Sequence, residues 1–369
     1  MSEKSPTDFL SACILKSYRN IERLEAVYPR FPHAVRDGEW TTSGEKEWKT
    51  LTDGYWTPGF FVGILFLCHS LTADPALRAA AERWLEPISR RAGVTTLHDV
   101  GFLFFPSAVL GHTLTGEDGH RGLALTAARS LLSRFQPDMG FLNVHDSPKY
   151  RRIAAVDTMM NLPLLWWAWS ETGDGAFREA AETHAENTWR RMVREDGSTI
   201  HILRFHDTEP RVVAEESWQG LSPGSCWSRG QAWAITGYAH AFAFTGEAVY
   251  RERFMKLLDY YLQNAPDDLV PFWDFGDPAI PGCERDASAA AIVVHGITAA
   301  LKREPDGKLL KTAKKIIHSL TSDYTTPSDH PAFLKHVCFH KPAGIDPDTS
   351  SIFADFYYLK AMYDLIVED

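Results

Sequence analysis

The chain is poor in the features that would tie it to a metal, a nucleotide, a nucleic acid or a membrane. Its 369 residues include five cysteines, Cys13, Cys68, Cys226, Cys283 and Cys338. An odd, scattered set argues against a disulfide framework or a zinc site and leaves the thiols structural or incidental. No His/Cys/Asp cluster has convincing metal-ligand spacing, no Gly-rich phosphate loop occurs, and Gly-x-Ser-x-Gly is absent. Metal-assisted, nucleotide-dependent and serine-hydrolase chemistry are disfavoured, and no cofactor is expected. A formal net charge of −10 sets up a field that repels nucleic acid and anionic membranes. A small anionic substrate stays compatible with that charge where a local Arg supplies the attraction. The apolar runs near Ile64 and Met159 are too short or interrupted to cross a bilayer. Met1 to Pro6 has no basic-then-apolar signal pattern, so a cytoplasmic location is expected. No polar low-complexity tract is long enough for a linker, and one domain over residues 1–369 is favoured over the two or three that length alone allows.

What is present is a repeated punctuation mark. Thr72-Ala73-Asp74-Pro75, Thr115-Gly116-Glu117, Thr172-Gly173-Asp174 and Thr245-Gly246-Glu247 each follow an apolar segment and precede one with charges at helical spacing. A Gly after an apolar helix is a C-cap, and an acid suits the first turn of the next helix, so the unit is a helical hairpin. Asn161 to Trp169 and Ala287 to Leu301 are apolar or small on nearly every side, whereas Glu182 to Arg194 and Arg251 to Gln263 carry a polar stripe. Helices apolar all round must be buried and striped ones face water, which gives an inner ring inside an outer ring. Hairpins of about 50 to 60 residues allow roughly six, an all-α (α/α)6 barrel, with an open helical array as the alternative. A closed ring leaves no sheet edge exposed, so a monomer or weak homo-oligomer is adequate. Ile200, Ile202 and Phe205 alternate within Ser198 to Phe205 and suggest a short β excursion at the mouth.

Two aspartates stand in motif-like settings, His98-Asp99-Val100-Gly101-Phe102 and Asp157-Thr158-Met159-Met160-Asn161-Leu162-Pro163. Asp157 precedes Asn161 and Pro163, which read as an N-cap and a first-turn proline, so it lies at the opening of an inner helix and is either a helix-capping acid or one pointing into the barrel. Asp99 is similarly either part of an ordinary turn or a partner for Asp157. If the two meet, like charge and an apolar wall raise the pKa of one, while a helix N-terminus at Asp157 works in the opposite direction. Cys226-Trp227-Ser228-Arg229-Gly230-Gln231-Ala232-Trp233 follows. Arg229 is a candidate clamp for a substrate carboxylate, because a guanidinium pairs both oxygens at once; the alternative is a structural ion pair with Asp274 or Asp286. Of twelve tryptophans, Trp56, Trp218, Trp227, Trp233 and Trp273 fall near hairpin boundaries, where indole faces either line a sugar pocket or fill the core. Trp166, Trp167 and Trp169 fit an inner-helix pattern and are assigned to packing. His201 and Gln219 are candidates for orienting a sugar or water.

In their order and combination these motifs resemble the unsaturated glucuronyl hydrolases of glycoside hydrolase family 88, and more distantly the unsaturated rhamnogalacturonyl hydrolases of family 105. Arg30-Phe31-Pro32-His33, Trp56-Thr57-Pro58-Gly59-Phe60, Trp273-Asp274-Phe275, Arg285-Asp286-Ala287-Ser288-Ala289 and Asp355-Phe356-Tyr357-Tyr358-Leu359 extend the likeness along nearly the whole chain. The resemblance implies an (α/α)6 barrel without a metal or organic cofactor. It also implies release of a 4,5-unsaturated uronic acid from the non-reducing end of lyase-generated oligosaccharides, by protonation at C4 and hydration at C5 of a vinyl ether. By the same resemblance Asp157 is the general acid and base and Asp99 its partner, while Trp56, Phe60, His98, His201, Gln219, Trp227, Arg229 and Trp233 contact the substrate. The chain departs from the family pattern at Trp218, where a His precedes the Gln, and at Pro58, where the pattern has Asp. A sugar epimerase or isomerase on the same toroid, which depends on paired histidines, and a non-catalytic carbohydrate-binding toroid are the alternative functions.

Overall fold

In the computed structural model the described residues are 6–42, 56–96, 98–146 and 151–367. Among the described residues, twelve longer helices alternate between two rings. The outer set is α1 (Pro6–Glu25), α3 (Pro75–Ser89), α5 (Asp118–Leu132), α7 (Gly175–Met192), α9 (Ala248–Asn264) and α11 (Gly307–Asp323). The inner set is α2 (Pro58–Thr72), α4 (residues 100–115), α6 (Leu162–Thr172), α8 (Ser228–Thr245), α10 (Ala287–Arg303) and α12 (Ile352–Val367). Each inner helix packs on the next, and α12 returns to α2, so the ring is closed rather than an open array. The fold is an (α/α)6 barrel.

Burial follows the composition. In α10 the run from Ala287 to Ala300 is buried without a break, because small and branched apolar side chains surround the helix. In α11 the buried positions reduce to Leu309, Ala313, Ile316, Ser319 and Leu320, a stripe at helical spacing with lysines outside it.

Each repeated Thr closes a two-residue turn from an inner to an outer helix. Thr72, Thr115, Thr172 and Thr245 donate from Oγ1 to the carbonyl four residues earlier, at 2.8, 2.6, 2.7 and 2.7 Å. The same oxygens accept the N–H two residues on, while Ala73, Gly116, Gly173 and Gly246 take left-handed C-cap geometry. Asp74 and Asp174 then cap the outer helix by accepting from Ala76 and Ala176. These tight turns put all inner-helix C-termini at one end. The long connections gather at the other end and carry the few strands. Among them, β1 (Ile153–Ala155), β2 (Ile202–Phe205) and β3 (Val212–Glu216) form an antiparallel sheet, the excursion expected near Ile202.

Candidate active site

A pocket of about 340 Å³ opens at the inner-helix N-termini. Trp56, His98, Asp99, Asp157, His201 and Gln219 line it, together with Trp218 and His340. The two aspartates reach it on separate segments that are tied directly to each other. Asp99 precedes α4, whose middle turn, Phe105–Val109, is a π-helix. Asp157 lies in the 3-10 helix Val156–Met160 before α6. The Asn161 side chain accepts the Phe102 N–H at 3.0 Å, and His98 Nδ1 lies 2.7 Å from Thr158 Oγ1. Gly101 makes that approach possible, since a Cβ there would sit 2.4 Å from Asn161 Cα. Asn161 does stand at the N-cap of α6, as its position suggests, but it makes no cap bond there. Its carbonyl oxygen is spent on α4 instead.

His201 reaches Asp157 through the sheet. Ala155 pairs with Ile202, and the Val156 N–H donates to the His201 carbonyl at 2.9 Å. His201 Nδ1 accepts the Trp218 N–H at 3.2 Å, which assigns the ring proton to Nε2, the nitrogen 3.7 Å from Asp157 Oδ1. That gap is too long for a hydrogen bond, and Asp157 Oδ1 is buried with no partner.

Burial dominates the electrostatics. It pushes both Asp99 and Asp157 up to about 6; for Asp157 the Asp99 charge adds a smaller upward push, while His98 and Arg229 act downward. Both acids are raised, not one, because each loses its hydration to the same walls. Burial also drives His98 down to about 4 and His201 to about 3, with the Arg229 charge adding to the latter. The 3.2 Å contact of His98 Nε2 with Asp99 Oδ1 therefore joins a neutral imidazole to a carboxyl group at neutral pH. Neither acid serves as a helix cap: Asp99 makes no side-chain cap bond to α4, and Asp157 Oδ1 is unpaired.

Four residues expected at the substrate, Phe60, Trp227, Arg229 and Trp233, stand behind the wall. Phe60 is fully buried against Trp56, Phe356 and Tyr357. Trp233 is 1% exposed and packs on Phe102, so it belongs to the core beneath the floor. Trp227 lies under His201, ring centroids 4.5 Å apart. Trp273 is likewise buried, its indole N–H held by Asp277 at 2.6 Å, so of the boundary tryptophans Trp56 and Trp218 line the pocket.

Arg229 requires the largest correction. It is 1% exposed, pairs with Asp286 at 2.8 Å, and donates to the carbonyls of Cys338 and Phe339. A guanidinium so engaged is a structural strut rather than a clamp on a substrate carboxylate. It sits 4.7 Å from the Trp227 ring, completing a stack of imidazole, indole and guanidinium that holds His201 in place. The Phe339 carbonyl that it fixes also accepts Gln219 Nε2 at 3.2 Å, so Arg229 orders two sides of the pocket from behind.

Phe339, His340 and His145 line the pocket without having been singled out in the sequence. They come from connecting segments with no periodicity, and only the chain path brings them in. His206, a sequence neighbour of His201, is half-buried and accepts the Thr208 N–H through Nδ1, away from the pocket lining. Leu97, which precedes the first aspartate motif in sequence, lies outside the described residues. Among the described residues no helix is long and apolar enough to cross a membrane.

Residues 24–364 match the family described as Glycosyl Hydrolase Family 88. The chain is 34% identical over 349 residues to an unsaturated glucuronyl hydrolase of Bacillus sp. (strain GL1), with 91% of each chain covered. It is 30% identical over 379 residues to an unsaturated chondroitin disaccharide hydrolase of Streptococcus pyogenes serotype M1, covering 98% of this chain and 91% of that one. The crystal structure of the Bacillus sp. GL1 hydrolase, described as responsible for the degradation of glycosaminoglycan, superposes with a TM-score of 0.89 at 30% identity, covering 97% of this chain and 96% of that one.

Proposed function

We infer the reaction from one premise: the chain belongs to Glycosyl Hydrolase Family 88. It is a glycosidase, and it acts on an oligosaccharide that ends in an unsaturated uronic acid. The bond to be handled is a vinyl ether conjugated to a carboxylate. Asp157, with its pKa pushed up to about 6, keeps a useful fraction of carboxylic acid near neutral pH and gives its proton to C4. Positive charge then develops at C5 and the ring oxygen. The Asp157 carboxylate left behind takes a proton from water as the water oxygen bonds to C5. The hemiketal at C5 opens to a ketone, and the hemiacetal left at C1 collapses to an aldehyde and expels the aglycone. One water is consumed and no bond to the enzyme forms, so the separation rule for paired carboxylates at an anomeric carbon does not apply.

The other pocket residues have roles consistent with this sequence. Asp99, in contact with neutral His98, adjusts the affinity of Asp157 for its proton. His201 presents Nε2–H beside Asp157 Oδ1 to orient a sugar hydroxyl or the water. Trp56 and Trp218 supply apolar faces for the sugar rings. Gln219, its amide nitrogen held by the Phe339 carbonyl, offers its amide oxygen to the sugar. In the pocket that holds the two acids, His98 and His201 each contact a carboxyl group and not each other, which is not the paired-histidine arrangement an epimerase depends on; the histidines that do meet, His240 and His295, do not line that pocket.

The observation that carries this reading is the unpartnered oxygen of Asp157 in a pocket shared with a second raised carboxyl. It is tested by following the ultraviolet absorbance of the conjugated enol ether as the protein acts on a panel of lyase-generated disaccharides. Loss of absorbance with release of a keto-uronate supports the reading, and the preferred member identifies the parent polymer. Intact absorbance across glycosaminoglycan, gellan, xanthan, ulvan and pectic disaccharides would reject it.

A further inference from the structure

Thr158 follows Asp157 in the 3-10 helix Val156–Met160, as His98 precedes Asp99. These two neighbours of the acids meet through their side chains, His98 Nδ1 to Thr158 Oγ1 at 2.7 Å, while His98 Nε2 lies 3.2 Å from Asp99 Oδ1. A hydroxyl, an imidazole and a carboxyl group thus stand in line, and the hydrolytic reaction leaves the hydroxyl without a task.

The line has the order of a nucleophilic triad, but burial excludes that role. Thr158 is fully buried and does not line the pocket, so its oxygen has no path to a substrate atom. His98, Asp99 and Asp157 do line it. Whatever Thr158 contributes must pass through the imidazole.

What passes is the position of one proton. Burial keeps the His98 ring neutral, so one of its nitrogens carries a proton and the other a lone pair. Were the proton on Nδ1, it would point at Thr158 Oγ1. The buried hydroxyl, whose contact with His98 is its one side-chain hydrogen bond among the described residues, would then hold a proton with no acceptor. The Nε2 lone pair would also face an oxygen of Asp99. With the proton on Nε2 both conflicts disappear: Thr158 donates to Nδ1, and an N–H is turned toward Asp99. The main chain around the ring is fixed as well, since the His98 N–H donates to the Val144 carbonyl and the Val144 N–H to the Ile153 carbonyl, both at 3.1 Å. His98 is thereby tied to the sheet that also carries His201.

We propose that Thr158 is a positioning residue for the hydrolysis: its hydroxyl locks His98 in the Nε2–H tautomer, and that N–H keeps the Asp99 carboxylate in the pocket beside Asp157. The Asp99 charge held there helps to keep Asp157 in its acid form, so loss of the lock slows proton transfer rather than substrate binding. The effect on turnover rests on the roles assigned to the two acids; the tautomer does not.

Two measurements on the full-length protein test the lock. Nitrogen NMR of isotope-labelled histidine at pH 8, with the His98 signals identified by their absence from His98→Gln, is expected to place the ring proton on Nε2; a proton on Nδ1 would overturn the lock. In the ultraviolet assay Thr158→Val, which keeps the shape and removes the hydroxyl, should lower kcat by about tenfold, the worth of one hydrogen bond, with KM unchanged within about twofold. Thr158→Ser retains the hydroxyl and should keep most of the wild-type kcat, and Thr158→Ala makes the same comparison if the valine variant does not fold. Wild-type kcat without the hydroxyl, equal losses with and without it, or a change confined to KM would each overturn the positioning role. Should the wild-type protein consume no unsaturated disaccharide, the hydrolytic reading falls and the effect on turnover with it, while the NMR result still decides the tautomer.

Discussion

Replacing Asp157 by Asn should cost activity and add stability, and the second effect should switch on with pH. The Asp157 side chain is 20% exposed, and burial lifts its pKa from 3.8 to about 6. Because the folded value is above the unfolded one, the native state binds more protons between those limits. The group's contribution to stability is fully present below the unfolded pKa and is lost as pH rises through about 6. A shift of about two units at about 1.4 kcal/mol each amounts to a penalty of about 3 kcal/mol above neutral pH. Asn has nothing to ionise and escapes it. With an unfolding entropy of about 2.1 cal/mol/K per residue, that is about 4 °C in Tm for a chain of this length. The two proteins should therefore melt together near pH 4 and separate progressively up to pH 7, with the variant the more stable. Its turnover should fall by about a hundredfold or more. Differential scanning calorimetry across this range, with the ultraviolet assay alongside, makes the comparison. A Tm difference that does not change with pH, or a variant less stable at pH 8, would mean that the carboxylate is well solvated in place. The physical basis for its acid role would then be gone.

The same raised pKa sets the sense of the rate profile: kcat should fall as pH rises through about 6, because the proton donor is lost, and a flat profile to pH 8 would place the acid elsewhere. Arg229→Ala leaves Asp286 buried without its counter-ion and should destabilise by about 3 to 5 kcal/mol in urea unfolding; an unchanged stability with a raised KM would restore the substrate-clamp role. Asn161→Ala removes the acceptor for the buried Phe102 N–H and loosens the join between the two acid segments. It should cost about 1 to 3 kcal/mol and lower kcat more than it raises KM, whereas wild-type kcat would mean that the acids align without it.

The fold was legible because two simple patterns repeat. Helices apolar on all sides alternate with striped ones, and the recurring Thr-Gly-acid mark makes real turns, its Thr hydroxyl bonded on both sides. The aspartates could be picked out as a pair because Gly101 and Asn161, the residues that lock their segments together, sit beside them in sequence. What could not be read was which way side chains point. Trp227, Arg229 and Trp233 share one motif at the start of α8, yet that motif runs inward from the wall, so sequence closeness to the site did not mean contact with it. Phe339 and His340 posed the opposite problem: they line the pocket from a connecting segment with no periodic signal, placed there by the carbonyl bonds to Arg229 and by closure of the ring.

The most direct test of the central claim is the fate of C4 when the protein turns over an unsaturated uronyl disaccharide in heavy water, followed by NMR from the first minutes. Delivery of the proton by a fixed carboxyl group should place a single deuteron on one face of C4, in step with release of the aglycone. Deuterium distributed over both faces, appearing after the aglycone is already free, would show that the glycosidic bond breaks first and that C4 is protonated by solvent.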